Sequence, residues 1–335
     1  EFSRNQIALG HEGDYNFGLW KTYISHSTTE TDGRTLPTDA FEKGSTNPLI
    51  GSDRTLKSTD LVADSHIISQ LGDHKITTGL EFKKTEIEDN IATHITGKNT
   101  FEKDSWSIYA EDEWRIIDSL GLTLGGRYED HSGFGGHFSP RAYLVWNAHD
   151  ILTIKGGITT GYKAPTAKDL ENGLIDMSGQ GATYVFGNPN LKPEKSTNYE
   201  LGFNIQPSDK INFTTTAFYN QIEDAIITND ISDQAICPVT ECSQEINAQE
   251  AKVYGAEASL QYTILPEWDI KASYTYTKSE VTDGENEGLY YNNNPRDAFN
   301  LTSTWHINPD FDIWLQHEYK SSRTRFTSIP TTPGD

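Results

Sequence analysis

Short and long links alternate down this sequence, and they join runs whose residues alternate between apolar and polar. Trp268, Ile270, Ala272, Tyr274 and Tyr276 interleave with Asp269, Lys271, Ser273, Thr275 and Thr277. Tyr199, Leu201, Phe203 and Ile205 interleave with Asn198, Glu200, Gly202, Asn204 and Gln206. Leu120, Leu122, Leu124 and Tyr128, and later Phe311, Ile313 and Leu315, repeat the pattern. A period of two is the mark of a β-strand with one apolar and one polar face. No segment carries a sustained apolar stripe at helical spacing. The pattern predicts fourteen strands, near 4–13, 17–27, 56–71, 74–88, 104–117, 120–131, 137–147, 150–161, 195–206, 210–222, 251–264, 268–281, 295–307 and 311–325. The third alternates poorly.

The links are as informative as the strands. Asp14-Tyr15-Asn16, Gly72-Asp73, Asp118-Ser119, Ala148-His149, Pro207-Ser208-Asp209, Leu265-Pro266-Glu267 and Asn308-Pro309-Asp310 are tight. Between them lie long polar loops at 28–55, 89–103, 162–194, 223–250 and 282–294, with a shorter one at 132–136. Antiparallel strands with tight turns at one end and long loops at the other describe an up-and-down transmembrane β-barrel of an outer membrane. In hydrocarbon every backbone N–H and C=O must be paired within the protein, so such a sheet has to close. Its outer face meets lipid and its inner face is free to be charged. That reconciles a hydrophobic content of only 35% with 11% aromatics. Trp106, Trp114, Trp146, Trp268 and Trp305 fall near strand ends, as the aromatic girdles of such barrels require. Asp112 is the misfit. It is in phase with Ile108 and Ala110, so a bulge or an interfacial position has to absorb its charge. A soluble β-sandwich or propeller also alternates, but without one-sided loop lengths.

Composition removes other classes. The longest apolar run, Ala142 to Trp146, has five residues, against the ~20 of a membrane helix. A formal net charge of −22 repels phosphates and argues against nucleic-acid binding. The chain opens at Glu1-Phe2-Ser3-Arg4 and closes at Gly334-Asp335, and is expected to be an internal piece of a longer protein.

Three stretches resemble one family, the TonB-dependent outer-membrane receptors. The first is Ser105-Trp106-Ser107-Ile108-Tyr109-Ala110-Glu111-Asp112-Glu113-Trp114, followed by Leu122-Thr123-Leu124-Gly125-Gly126-Arg127-Tyr128. The second is Phe138-Ser139-Pro140-Arg141-Ala142, leading to Gly161-Tyr162-Lys163-Ala164-Pro165. The third is Gly187-Asn188-Pro189-Asn190-Leu191-Lys192-Pro193-Glu194, followed by Tyr199-Glu200-Leu201-Gly202. Their order and spacing fit along nearly the whole chain. Tyr254-Gly255-Ala256-Glu257 and Asn293-Asn294-Pro295-Arg296 point within that family to receptors similar to the catecholate siderophore receptors, such as the colicin I receptor.

The resemblance implies a 22-stranded barrel around a plug. Residues 1–335 would then be a partial barrel domain of about 14 strands, with the plug, about five strands in front and about three behind lying elsewhere. It implies an outer-membrane receptor and transporter for ferric siderophores, driven by TonB in the intact protein, with catecholates expected here. It implies partners in the TonB complex, outer-membrane lipid and colicin-like toxins. No cofactor is implied and no enzyme; the iron complex is cargo. The alternatives are a passive porin-like or adhesin barrel, and, within the family, a haem or cobalamin receptor. Haem receptors of this family carry an iron-ligating His between the boxes corresponding to Tyr162 and Leu191, and this chain has none there.

A ferric catecholate is an aromatic trianion, so its site needs cations and ring faces. By loop position the candidates are Arg296, Tyr291, Tyr290, Lys163, Tyr162, Tyr184, Arg323 and Arg325, with Arg34, Arg54, Lys168 and Phe186 behind them. For each taken singly, the commoner reading is a solvated loop side chain or an aromatic packing its own loop. Gly187 to Glu194 is read chiefly as a stiff return into the next strand. Cys237 and Cys242 are the only cysteines. Two thiols do not complete a tetrahedral zinc site, and one surface loop in an oxidising setting favours a disulfide. Glu111 and Glu113, two apart on one strand, are read as polarity of the lumen rather than a glycosidase pair.

Overall fold

The computed structural model describes residues 1–35, 53–89, 100–178, 183–237, 241–284, 287–289 and 294–323. Among them are sixteen strands in one sheet and no helix. They are β1 (Phe2–Tyr15), β2 (Gly18–Thr35), β3 (Asp53–Leu71), β4 (His74–Asp89), β5 (Thr100–Ile117), β6 (Leu120–His131), β7 (Gly135–His149) and β8 (Leu152–Lys163). There follow β9 (Gly173–Ser178), β10 (Thr183–Gly187), β11 (Glu194–Ser208), β12 (Ile211–Asp230), β13 (Glu241–Leu265), β14 (Trp268–Asp283), β15 (Asp297–Asn308) and β16 (Phe311–Lys320). The path runs β1 to β8, then β11 to β16, each strand antiparallel to its sequence neighbour on that path. These are the fourteen expected strands in the expected order. The sheet is a partial barrel wall in which β1 and β16 each pair on one side only among the described residues.

Two differences from the sequence reading have physical causes. β12 and β13 run on into the span read as a long loop, reaching Asp230 and starting at Glu241. The register shifts between Ile222 and Ala225, and Asp224 adopts a positive φ of 56°. This bulge changes the phase of the alternation, so the pattern stops in the sequence while the ladder continues. The loop read at 162–194 holds the additional β9 and β10, which pair with each other; β10 also joins β13 in the one parallel ladder among the described residues.

Register puts one face outward. From β6 to β12, Leu122, Leu144, Gly156, Leu201 and Ala217 are successive partners or lie on the same face as those partners. Leu201, Ile158 and Leu124 are exposed, as a lipid-facing wall requires. At the long-loop end the outward face carries Phe82 opposite Trp106, Tyr128 opposite Phe138, and Tyr199, Tyr219 and Tyr254 side by side. At the short-turn end it carries Trp20, Trp114, Trp146 and the cross-strand pair Trp268 and Trp305. These two belts are the girdles, the first extracellular and the second periplasmic. Asp112 sits beside the periplasmic belt, where His74 Nδ1 lies 2.8 Å from its Oδ2 and the His74 ring stacks on Trp114 at 5.3 Å. An interfacial position thus accommodates its charge.

The opposite face is polar and cross-linked. Lys75 pairs with Glu113 at 2.8 Å and Arg141 with Glu111 at 3.0 Å. Tyr109 donates to Asp64 at 2.8 Å, and Arg127 bridges Glu81 and Glu129. Glu111 and Glu113 therefore belong to the lumen wall and are neutralised there.

Candidate functional site

Above the extracellular girdle, residues 164–178 and 183–193, between β8 and β11, make contacts with distant strands. This strap has three anchors. The first lies over β3, β4 and β5. Arg54 donates from Nε to Asp89 Oδ1 at 3.1 Å and from Nη2 to Asp176 Oδ1 at 3.0 Å. Lys168 donates to Asp89 Oδ2 at 2.9 Å and to Asp176 Oδ2 at 3.0 Å. Two cations and two carboxylates thus form a closed ring, with the Asp89 side chain 1% and Lys168 12% exposed. Burial alone raises the Asp89 carboxyl, but the hydrogen bonds and charges of Arg54 and Lys168 outweigh it and hold the group below its ordinary value. The same balance raises Arg54, whose burial is overcome by Asp89 and Asp176. Beside the ring, Phe101 is 1% exposed and packs with Ala167 and Ile87.

The second anchor is at the β6–β7 turn, where Leu170 packs so closely over Gly133 that a Cβ there would lie 2.5 Å from Leu170 Cδ1. The third is at β12 and β13. Residues 183–186 of β10 pair in parallel with residues 241–244 of β13. Phe186, Ile231 and Cys242 form a buried cluster with Leu174, Tyr184 and Cys237 against it. Cys237 and Cys242 are joined in a disulfide with Cα atoms 5.8 Å apart. Gln244 Nε2 donates to Gly187 O at 2.8 Å, Asn188 Nδ2 to Glu245 O at 3.1 Å and Lys192 N to Asn247 Oδ1 at 2.8 Å. Gly187 is required by space, since a Cβ there would lie 2.2 Å from Glu171 O. The Gly187–Glu194 motif is accordingly a stiff return into β11, with Leu191 buried beneath it.

The candidate ligand residues do not gather in one place. Lys163 is 73% exposed and pairs with Glu194 at 3.3 Å. Arg296 is 61% exposed and pairs with Asp297, which also accepts the Tyr274 hydroxyl at 2.7 Å. Arg54 and Lys168 are spent in the buried ring, and Tyr184 and Phe186 pack the strap's own apolar cluster. Arg323 is exposed beyond the end of β16. Tyr290, Tyr291 and Arg325 lie outside the described residues, as does the side chain of Arg34.

Tyr162 is the exception. Its ring centroid lies 4.5 Å from that of His137 and 5.8 Å from that of Phe134, and Phe134 stacks on His131 at 4.2 Å. Its hydroxyl donates to Glu129. Burial lowers the His131 imidazole, Glu129 pulls the other way, and the charge of Lys103 adds to the lowering. His131, Phe134 and His137 were not selected from the sequence. The available signal was His131-Ser132-Gly133-Phe134-Gly135-Gly136-His137, aromatic residues set among glycines in the shortest outer loop.

The family model described as TonB dependent receptor-like, beta-barrel, matches residues 1–334. An iron-regulated outer membrane virulence protein of Vibrio cholerae is 30% identical over 332 residues, covering 96% of this chain and 47% of that protein. The ferric enterobactin receptor of Pseudomonas aeruginosa is 25% identical, covering 92% of this chain and 45% of the receptor. The crystal structure of the siderophore receptor PirA from Acinetobacter baumannii superposes with a TM-score of 0.74 at 24% identity, covering 96% of this chain and 51% of that one. The chain spans about half the length of these relatives.

Proposed function

Because the chain belongs to the TonB-dependent receptor β-barrel family and forms an outer-membrane barrel wall, we propose that the protein containing it takes up ferric siderophores of the catecholate type. In this reading the mouth captures the iron complex, and TonB, acting through a plug, drives its passage inward. The observation that carries the reading is the continuous likeness of residues 1–334 to receptor barrels, among them a ferric enterobactin receptor. The absence of His between Tyr162 and Leu191 favours catecholate over haem, because imidazole is a usual axial ligand of haem iron.

Growth of an iron-starved strain whose only receptor is the full-length protein tests this. Ferric catecholates, ferric hydroxamates and haem are supplied separately. Rescue by catecholates is expected. Rescue by haem alone, or by hydroxamates alone, overturns the substrate while leaving the fold untouched.

A further inference from the structure

Four rings from four positions converge at the extracellular ends of β6, β7 and β8: His131 at the top of β6, Phe134 in the turn, His137 in β7 and Tyr162 near the end of β8. We propose that these rings, with Lys103 beside them, form a subsite that receives a catecholate ring of the ferric siderophore. The proposal rests on the siderophore reading above and names where in the mouth the cargo is held.

The rings are half-buried, so they are neither a sealed core nor loose surface groups. Their centroid separations of 4.2, 4.5 and 5.8 Å are those of rings in direct contact. They are also fixed before any ligand arrives. The turn that carries Phe134 is tied to β5 by Ser132 N donating to Asp104 O at 2.9 Å and Asp104 N donating to Ser132 Oγ at 3.0 Å. Leu170 of the strap closes over Gly133 from above. The Tyr162 hydroxyl is held by Glu129. A platform already ordered loses little conformational entropy on binding, and affinity gains accordingly.

Charge selects the ligand. Lys103 lies two residues from Ser105 on the same face of β5, and Ser105 is the ladder partner of His131. Lys103 makes no ion pair among the described residues, whereas Arg54, Lys168, Lys163 and Arg296 are all engaged with carboxylates. Of the carboxylates that act on His131, Glu129 pairs with Arg127, which it shares with Glu81, and accepts hydrogen bonds from Tyr162 and Ser105, while Asp104 and Asp130 act through charge alone. An ammonium with no ion pair among the described residues, beside ordered ring faces, suits an anionic aromatic group. A hydroxamate supplies no aryl ring for such a platform.

Binding of ferric enterobactin to the purified full-length receptor provides the test. Lys103→Gln is expected to weaken binding about tenfold and Lys103→Arg to restore it, a rescue that a merely structural role would not produce. Phe134→Leu keeps the volume, removes the ring and is expected to weaken binding several-fold for ferric enterobactin. Should Phe134→Leu fail to assemble, the lysine pair decides alone. Wild-type affinity in Lys103→Gln overturns the subsite and leaves the siderophore reading standing. A wild-type receptor that ignores ferric enterobactin but takes up ferric hydroxamate overturns the reading itself. Binding of haem that is lost in His131→Ala or His137→Ala would show the cluster to be an iron-ligand site, and overturns the catecholate assignment.

Discussion

The barrel wall and the strap above it are held by different means. In the wall, each strand contacts its sequence neighbour, and the outward and inward faces follow from the parity of a residue. In the strap, Lys168 meets Asp89 across 79 positions of sequence and Arg54 meets Asp176 across 122. A wall mutation is therefore expected to act through its face, whatever its neighbours. A strap mutation is expected to act through its partners, whatever its parity. Substitutions in the two regions separate these expectations.

The largest effect is expected in the buried ring. Asp89→Ala leaves Arg54 and Lys168 sharing Asp176, and removing one member of a buried charge cluster costs about 3–5 kcal/mol. Amide hydrogen exchange in residues 164–178 of the full-length receptor should accelerate correspondingly while exchange in β11 to β15 stays slow. Unchanged protection of the strap would show that its other anchors suffice without the ring.

Next is the wall. Leu201→Arg places a guanidinium on the lipid face and is expected to cost roughly 2–4 kcal/mol near the bilayer midplane, read as a loss of assembled receptor in the membrane. Thr275→Arg, on the opposite face of β14 from Tyr274 and Tyr276, should assemble nearly as the parent does. Equal losses at the two positions would refute the assignment of faces.

What was legible in the sequence follows the same division. The strands and their order are written in local alternation, as in Trp268 to Tyr276, and Glu111 and Glu113 could be assigned to the lumen from parity. The ends of β12 and β13 were not legible, because the bulge at Asp224 breaks the period there. The site was the least legible part. Arg54, Lys168 and Tyr184 look like ligand residues in a polar loop, and only the folded chain brings each against Asp89, Asp176 or the Cys237–Cys242 cluster. Conversely, nothing local marks Phe134 as belonging with Tyr162. Their proximity arises because β7 and β8 are antiparallel neighbours whose upper ends lie side by side.

A smaller effect is expected at the disulfide. It closes a loop of only five positions' separation, so its constraint on the unfolded chain is worth about 2 kcal/mol. Mass spectrometry of unreduced peptides should recover Cys237 and Cys242 linked. Replacing both by Ser should loosen β10, residues 231–237 and the start of β13 without altering assembly of the wall. Two alkylatable thiols in freshly isolated membranes would refute the pairing in the native protein.

The smallest effect at working pH, and the one that isolates the buried ring, is its response to acid. Asp89 titrates below its ordinary value of 3.8 in the folded protein because Arg54 and Lys168 stabilise the carboxylate against the cost of burial. A carboxyl depressed in this way contributes stability that is fully present above its unfolded value and is lost as pH falls through the folded one. Protection of residues 164–178 should therefore hold constant from about pH 8 to about pH 5, once the intrinsic pH dependence of exchange is removed, and decline only under stronger acid. Asp89→Asn removes the titration, so its strap should start less protected and lose less under the stronger acid in which the parent declines. Loosening of the parent strap between about pH 7 and pH 5 would assign the control to a histidine rather than to the carboxylate ring, since an imidazole near its ordinary range changes charge there.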